Sequence, residues 1–458
     1  MPTNFTHLHL LTSYSLSCST INIDKLIKLA KKNKINTLAI TDHLNVFAAI
    51  KFYQKCIDNN IKPIIGCEIP VKYDTLGRLT PNITILCKDI DGYKSLIKLL
   101  SEIHVQKEKN KTASADISQL KKHNHGLIIL SGGRNGVIGG NLLSEDNTSK
   151  INFVKSLKKI FQDRLYVQID RGNHESEKLY NNKLLILAED LDLPIVGTNH
   201  VLFLEKSDFD AHEVRVCINK KIKIDDRNNQ KEFSDEQYFK TEKELTSLFS
   251  DIPDAIENIS EIVKKCNIHI PVGIYHLPVF NTPDKSNVDS YFDIIVEKGL
   301  EEIIKNTKDI NVAEYRDRLK YEIKVIKEMG FVSYFLIVHE FIDWAKKNSI
   351  PVGPGRGSGA GSLVAFALKI TSINPIKYNL LFERFLNIER ISMPDFDIDF
   401  CMINRQKIIE HITSLYGESK VSQIITYGTL SARAVIRDVG RVLGMGYTFV
   451  DRIAKLIP

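Results

Sequence analysis

Along residues 1 to about 270, short runs rich in β-branched residues alternate with longer stretches whose apolar positions recur every three or four residues. The short runs predict strands: THLHLL, TLAIT, KPIIGCEI, ITILC, GLIILS, RLYVQI and LPIVGT. The longer stretches, such as IDKLIKLAKKNK and NNKLLILAEDLD, predict amphipathic helices. Regular alternation of the two predicts an α/β unit on a parallel sheet, open or closed into a barrel. In a barrel, functional side chains gather where strands give way to loops. The polar clusters of this chain fall at such points: His7 and His9, Thr41-Asp42-His43, Glu68, and Asn199-His200.

The pattern then changes. LPVFNTPDKSNVDS (277–290), rich in Pro, Asn, Ser and Asp, predicts a linker. Helical periodicity resumes in EYRDRLKYEIKVIKEMG (314–330) and FLIVHEFIDWAKKN. A short strand, SIPVG, enters a glycine-rich loop, GPGRGSGAGS (353–362). A helix, SLVAFALKIT, leaves the loop and is stopped by Asn374-Pro375. Glycines let a backbone approach an anion closely, a helix N-terminus offers N–H groups, and Arg356 adds a charge-assisted contact. The GK[ST] ending of a P-loop is absent, and no βαβ unit with a distal acid supports a dinucleotide fold. A ligand-free turn is the alternative for the loop taken alone.

Some thirty residues beyond the loop, SMPDFDIDF (392–400) alternates acids with apolar residues. As a strand, it puts Asp395, Asp397 and Asp399 on one face and Phe396, Ile398 and Phe400 on the other. Like charges spaced about 7 Å apart need a cation between them. Two carboxylates at i and i+2 suit a pair of Mg²⁺ ions, which stabilise the attacking and leaving oxygens of a phosphoryl displacement. The outermost acids, about 13 Å apart, cannot share that pair. A single acid pair is better explained by a solvated strand edge or an N-cap acid. With an anion loop upstream, it describes a nucleotidyl-transfer site.

Bulk properties narrow the classes further. A length of 458 residues predicts two or three domains. The 43% hydrophobic and 26% charged content suits large buried cores, and a net charge of +6 permits a polyanionic partner without demanding one. Seven scattered cysteines with no CxxC pair argue against a zinc ribbon or disulfide framework and for a reducing cytoplasm. The start lacks a signal-peptide pattern, and no apolar run approaches the ~18 residues of a membrane span. Residues 401–458 carry eight basic against four acidic side chains, which fits either nucleic-acid backbone contacts or a solvated helix face.

PVGPGRGSGAGSLVAFALKIT, LFERFLN, SMPDFDIDF and SQIITYGTLSARAVIRDVGRVLG together resemble the alpha subunit family of bacterial DNA polymerase III. The resemblance runs along essentially the whole chain, from HLHLLTSYS to RIAKLIP. It implies a PHP-type (β/α) barrel over residues 1–275, a linker over 276–290, the first segment of a polymerase-beta-like palm over 291–428, and the start of a thumb over 429–458. Asp397 and Asp399 match the catalytic aspartates that hold two Mg²⁺ ions, with Asp395 just outside. Arg356, Gly357, Ser358, Gly359, Gly361 and Ser362 match the segment that holds the incoming triphosphate. The implied reaction is attack of a primer 3′-hydroxyl on the α-phosphate of a dNTP, with release of pyrophosphate. The implied partners are primer–template DNA, dNTP, a proofreading exonuclease subunit and other replisome subunits, in the cytoplasm and away from membranes. The family's third catalytic aspartate is expected beyond Pro458, so this chain is expected to need the missing polymerase portion for activity.

In the PHP segment, His7, His9, His43, Glu68 and His104 match metal-ligand positions. Cys18 stands where an Asp is expected, Gly133 where a Cys is expected, and the late Asp-x-His pair reads His200-Val201-Leu202. The resemblance therefore implies a degenerate PHP site at which Zn²⁺ or Mn²⁺ catalysis is not expected. The alternatives are a PHP-type phosphoesterase or 3′–5′ exonuclease, and a non-catalytic assembly module.

Overall fold

The computed structural model describes residues 6–458 apart from 17, 73–79, 107–111, 139–147, 174–176, 227–232, 275, 277, 308–309 and 390–392. The chain forms two compact units, Met1–Ile270 with Thr429–Pro458, and Pro271–Gly428.

The first unit is built on six strands: β1 (Thr37–Ile40), β2 (Lys62–Pro70), β3 (Asn82–Cys87), β4 (Leu127–Leu130), β5 (Leu165–Asp170) and β6 (Ile195–Thr198). They lie side by side in chain order. Strands β1–β2, β4–β5 and β5–β6 pair in parallel, as the alternating pattern predicts, but β3 runs antiparallel to both neighbours. The exception begins where β2 passes to β3 with no helix among the described residues between them. A parallel partner needs a long crossover, so a short return gives an antiparallel one.

The expected strand THLHLL is no regular strand. Its backbone instead joins the two edges of the sheet at one end. Thr41, just after β1, donates its N–H to the Leu10 carbonyl at 2.7 Å. On the other side, Leu11 donates to the Val201 carbonyl at 3.0 Å and Val201 to the His9 carbonyl at 2.9 Å. The polar residues at the strand ends are thereby gathered around residues 7–11.

Helices α1 (Ile23–Lys32), α2 (Ala49–Asp58), α3 (Ile90–Val105), α4 (Ile117–Lys122), α5 (Thr148–Phe161), α6 (Glu177–Asp190), α7 (Phe209–Lys220), α8 (Glu242–Leu248) and α9 (Pro253–Lys265) complete this part. The apolar periodicity of α1 acts as predicted, with Ile23, Leu26, Ile27 and Ala30 buried and Asn22 capping the N-terminus. β1 and β4 are buried at every position, which is what strands covered on both faces require.

The second unit carries α10 (Val288–Asn306), α11 (Val312–Glu328), α12 (Val332–Lys347), α13 (Leu363–Ala367) and α14 (Arg405–Tyr416). Its core includes Phe292, Phe335, Leu336, Leu363 and Phe382, together with Phe280 from the stretch expected to be linker. The helix leaving the glycine loop is shorter than its sequence suggests, ending at Ala367 instead of running to Asn374-Pro375. Lys369 adopts a left-handed conformation (φ 58°), and the N–H groups of Ile370 and Thr371 both return to the Ala365 carbonyl, which closes the helix.

Residues 429–458, in the first unit, form the helix pair α15 (Ala432–Val442) and α16 (Tyr447–Lys455). A Cβ at Gly440 would lie 2.5 Å from the Val450 side chain, so glycine is what lets the two helices approach. Arg437 reaches Asp451 at 2.8 Å across the pair. The Val442 carbonyl accepts from Ile224 N–H at 3.0 Å and ties the pair to the segment after α7.

Candidate nucleotide and metal sites

In the second unit the glycine loop and the acidic run lie against each other. Val352 pairs with Phe400 and Arg356 with Asp397, both antiparallel. Four steps on the loop side oppose three on the acidic side, which leaves one extra residue, a bulge. Gly355 (φ 93°) lies within it. The acidic run is thus an extended segment held by isolated bridges, not the regular strand expected. The predicted alternation of faces nevertheless holds: Phe396, Ile398 and Phe400 pack on the unit's core, while Asp395 and Asp399 are exposed and Asp397 half-buried.

Phe396 anchors this segment, stacked on Tyr334 at 5.8 Å and meeting Phe335 at 5.2 Å and Phe385 at 4.8 Å. The loop lies directly over it, because a Cβ at Gly359 would fall 2.6 Å from the Phe396 ring. At Gly357 (φ 69°) a Cβ would come within 2.8 Å of an Asp397 carboxylate oxygen. The glycine density therefore serves close apposition of loop and acids as well as access to an anion.

The cation between the acids is Arg356. Its Nη1 lies 3.2 Å from Asp397 Oδ2, and its Nε lies 3.2 Å from Asp399 Oδ2. The sequence reading placed Arg356 on phosphate and the acids on metal. In the structure they satisfy one another. Ser358, Gly359 and Gly361 form a single 3₁₀ turn, and Ser362 caps α13 by accepting from Ala365 N–H. The N–H groups at the start of α13 do not face outward as predicted, because Leu363 and Val364 both donate to the buried carboxylate of Glu322 at 3.0 Å. Glu322 had no sequence signal as a site residue, since its stretch reads as alternating Lys/Glu on an exposed helix.

In the first unit, three of the polar residues converge. One ligand atom from each of His9, Glu68 and His200 lies within 4.8 Å of the others. His9 stacks on His200 with ring centroids 4.2 Å apart, and His43 Nδ1 lies 3.8 Å from Glu68 Oε2. Burial opposes charge on Glu68, but the contacts from His43 and His9 prevail and hold its carboxyl well below the usual range. Asn82 also donates to Glu68. Burial drives His200 from 6.5 down to about 4, so it is neutral at pH 7.

The other matched positions stand apart. His7 is buried, with Nε2 donating to the Lys240 carbonyl at 2.8 Å. His104 is exposed and donates to the Leu44 carbonyl at 2.9 Å. Asp42 is consumed by Thr12 and Ser15, whose hydroxyls donate to it at 2.8 and 2.6 Å. Cys18 and Leu202 share one apolar cluster with Leu11 and Phe203. At Gly133 (φ 55°) a Cβ would fall 1.7 Å from Asp170 Oδ2, so the Asp170 carboxylate fills the space that a side chain there would need. Gln168 Nε2 bridges Asp170 Oδ1 at 3.1 Å and His9 Nδ1 at 3.0 Å. No pattern in the sequence pointed to Gln168 or Asp170.

Two known families match separate stretches of the chain. Residues 7–172 match the PHP domain family, and residues 290–458 match the bacterial DNA polymerase III alpha NTPase domain. The class is thus one in which a PHP domain accompanies a polymerase III nucleotide-binding domain. The chain is 45% identical to DNA polymerase III subunit alpha of Haemophilus influenzae and of Escherichia coli K12, over 99% of this chain and 40% of each relative. It belongs to the family of the DNA polymerase III alpha subunit and spans about 40% of the length of those relatives. A solved amidohydrolase from Chromobacterium violaceum is 12% identical, with a TM-score of 0.32 over 42% of this chain and 86% of its own. No helix among the described residues is long and apolar enough to cross a membrane.

Proposed function

We propose that the second unit supplies the triphosphate-binding loop and two metal-binding acids of a DNA-directed DNA polymerase, acting on a dNTP and a primer 3′-hydroxyl. The observation that carries this reading is the pairing of Arg356–Gly359 with Asp397–Asp399, which sets an anion-binding loop beside two carboxylates aimed at one cation. The donor set fits Mg²⁺: hard carboxylate oxygens, Asp397 and Asp399 being 41% and 61% exposed, with room for phosphate and water. Bound there, Mg²⁺ supplies charge stabilisation for an in-line displacement at phosphorus.

The chain's own residues do the rest. Asp397 and Asp399 would hold the metal, and would then cease to hold Arg356. The freed guanidinium takes phosphate oxygens, for which its planar fork is suited. The turn around Gly357–Gly359 brings backbone close to the same group. The primer 3′-hydroxyl would give up its proton to solvent, its oxygen would bond to the α-phosphorus as the α–β bridging bond breaks, and pyrophosphate would leave with the bridging oxygen. Primer–template DNA and replisome subunits are the partners this reading implies.

The cluster in the first unit is read as structural. A phosphoesterase needs several ligands to hold metal and activate water. Here Gly133 and Leu202 offer no ligand, and Asp170 is held by Gln168. Calorimetric titration of the full chain with a dNTP, with and without Mg²⁺, tests the proposal. Affinity that depends on metal and is lost in Asp397→Asn and Asp399→Asn supports it. Metal-independent binding, or binding untouched by both substitutions, refutes it.

A further inference from the structure

We infer that Glu322 and Arg318 of α11 are positioning residues that hold the glycine loop in its triphosphate-binding shape. This rests on the reading of that loop given above.

Glu322 is fully buried, yet all its partners converge on the end of the loop or on Arg318. Its Oε1 accepts from Leu363 N–H at 3.0 Å and from Arg318 Nε at 2.7 Å. Its Oε2 accepts from Ser362 Oγ at 2.9 Å and Val364 N–H at 3.0 Å. Arg318 continues the clamp, with Nη2 donating to the Gly361 carbonyl at 3.1 Å and the Leu380 carbonyl at 3.2 Å. One ion pair thus fixes four consecutive residues, Gly361 to Val364.

The clamp has a consequence for where an anion can sit. A helix N-terminus attracts negative charge, and here an internal carboxylate already takes that place. An external phosphate is left with Arg356 and the turn around Gly357–Gly359. The clamp sets the position of that turn, because Ser362 N–H closes back onto the Gly359 carbonyl at 3.2 Å. A glycine-rich segment has the largest conformational freedom to lose. Fixing one end of it from beneath lets the phosphate meet a formed loop and not a floppy one, which is affinity through preorganisation.

Glu322→Gln keeps the shape, removes the charge and turns an amide donor toward donors. The full chain should still fold by circular dichroism. Measured well below its melting temperature, its affinity for Mg²⁺·dNTP should fall at least ~10-fold, and Arg318→Lys should cause a smaller loss in the same direction. Arg356→Ala, read alongside, tests the loop itself. If Arg356→Ala abolishes binding while Glu322→Gln binds like wild type with only a lowered melting temperature, Glu322 is merely structural and the inference is overturned alone. If the wild type does not bind, or Arg356→Ala binds equally well, the loop assignment fails and takes the inference with it. If Glu322→Gln does not fold, Ser362→Ala decides: it removes one clamp contact, and unchanged affinity overturns the inference.

Discussion

In the proposed site Arg356 occupies the position that a metal ion would take, so its removal makes a quantitative prediction. In Arg356→Ala, two contacts of 3.2 Å disappear, one to Asp397 and one to Asp399. The arginine side chain is 58% exposed and the acids 41% and 61%, so each contact is a solvent-screened ion pair. Such pairs contribute about 0.2–1 kcal/mol each. A metal entering the wild type must displace both. The substitution should therefore raise metal affinity about 5-fold, with an upper bound of roughly 30-fold if both pairs lie at the strong end. Electron paramagnetic resonance titration of free Mn²⁺ reads this directly. High salt screens the competing pair, so the gain should shrink as ionic strength rises from low values toward ~0.5 M. The same variant should bind dNTP more weakly, since the phosphate contact is gone. Unchanged or weaker Mn²⁺ binding in Arg356→Ala would refute the claim that guanidinium and metal compete for these acids.

Other consequences can be checked by thermal unfolding. Gly133→Cys, which restores the residue type that the resemblance leads one to expect, should destabilise the chain by about 3 kcal/mol through its left-handed backbone and its collision with Asp170. Adding Asp170→Ala should recover at least ~1 kcal/mol of that, whereas strictly additive effects would contradict the collision. Burial lowers the His7 pKa from 6.5 to about 4, so between those values the unfolded chain binds more protons than the folded one. Stability should rise with pH across that window by about 3 kcal/mol for this group, and His7→Gln should flatten the dependence. Phe396→Ala should cost about 3 kcal/mol and weaken metal binding, because the acidic run loses its anchor. A variant of wild-type metal affinity would show that the anchor does not set the acids.

Much of the fold was legible because burial follows period. Six of the seven strands expected before residue 270 and the helices of EYRDRLKYEIKVIKEMG and FLIVHEFIDWAKKN appear where the apolar pattern put them, whereas SIPVG and SMPDFDIDF form only isolated bridges. The antiparallel turn of β3 was not legible, since a strand's direction is set by its connection and partner and leaves no mark on its own residues. At the candidate site, the acids and the glycine loop stood out because acids facing acids, and glycines at such density, are costly without a reason. Glu322, Gln168 and Asp170 did not, because their roles come from contacts at long sequence separation. Glu322 meets Ser362 across 40 residues, and Gln168 meets His9 across 159.

Anomalous scattering from Mn²⁺ in crystals of the full chain grown with a dNTP tests the central claim most directly. The account predicts a peak bound by Asp397 and Asp399, with Arg356 turned away from them onto the triphosphate. A peak only among His9, Glu68 and His200, with Arg356 still seated on both acids, would contradict it.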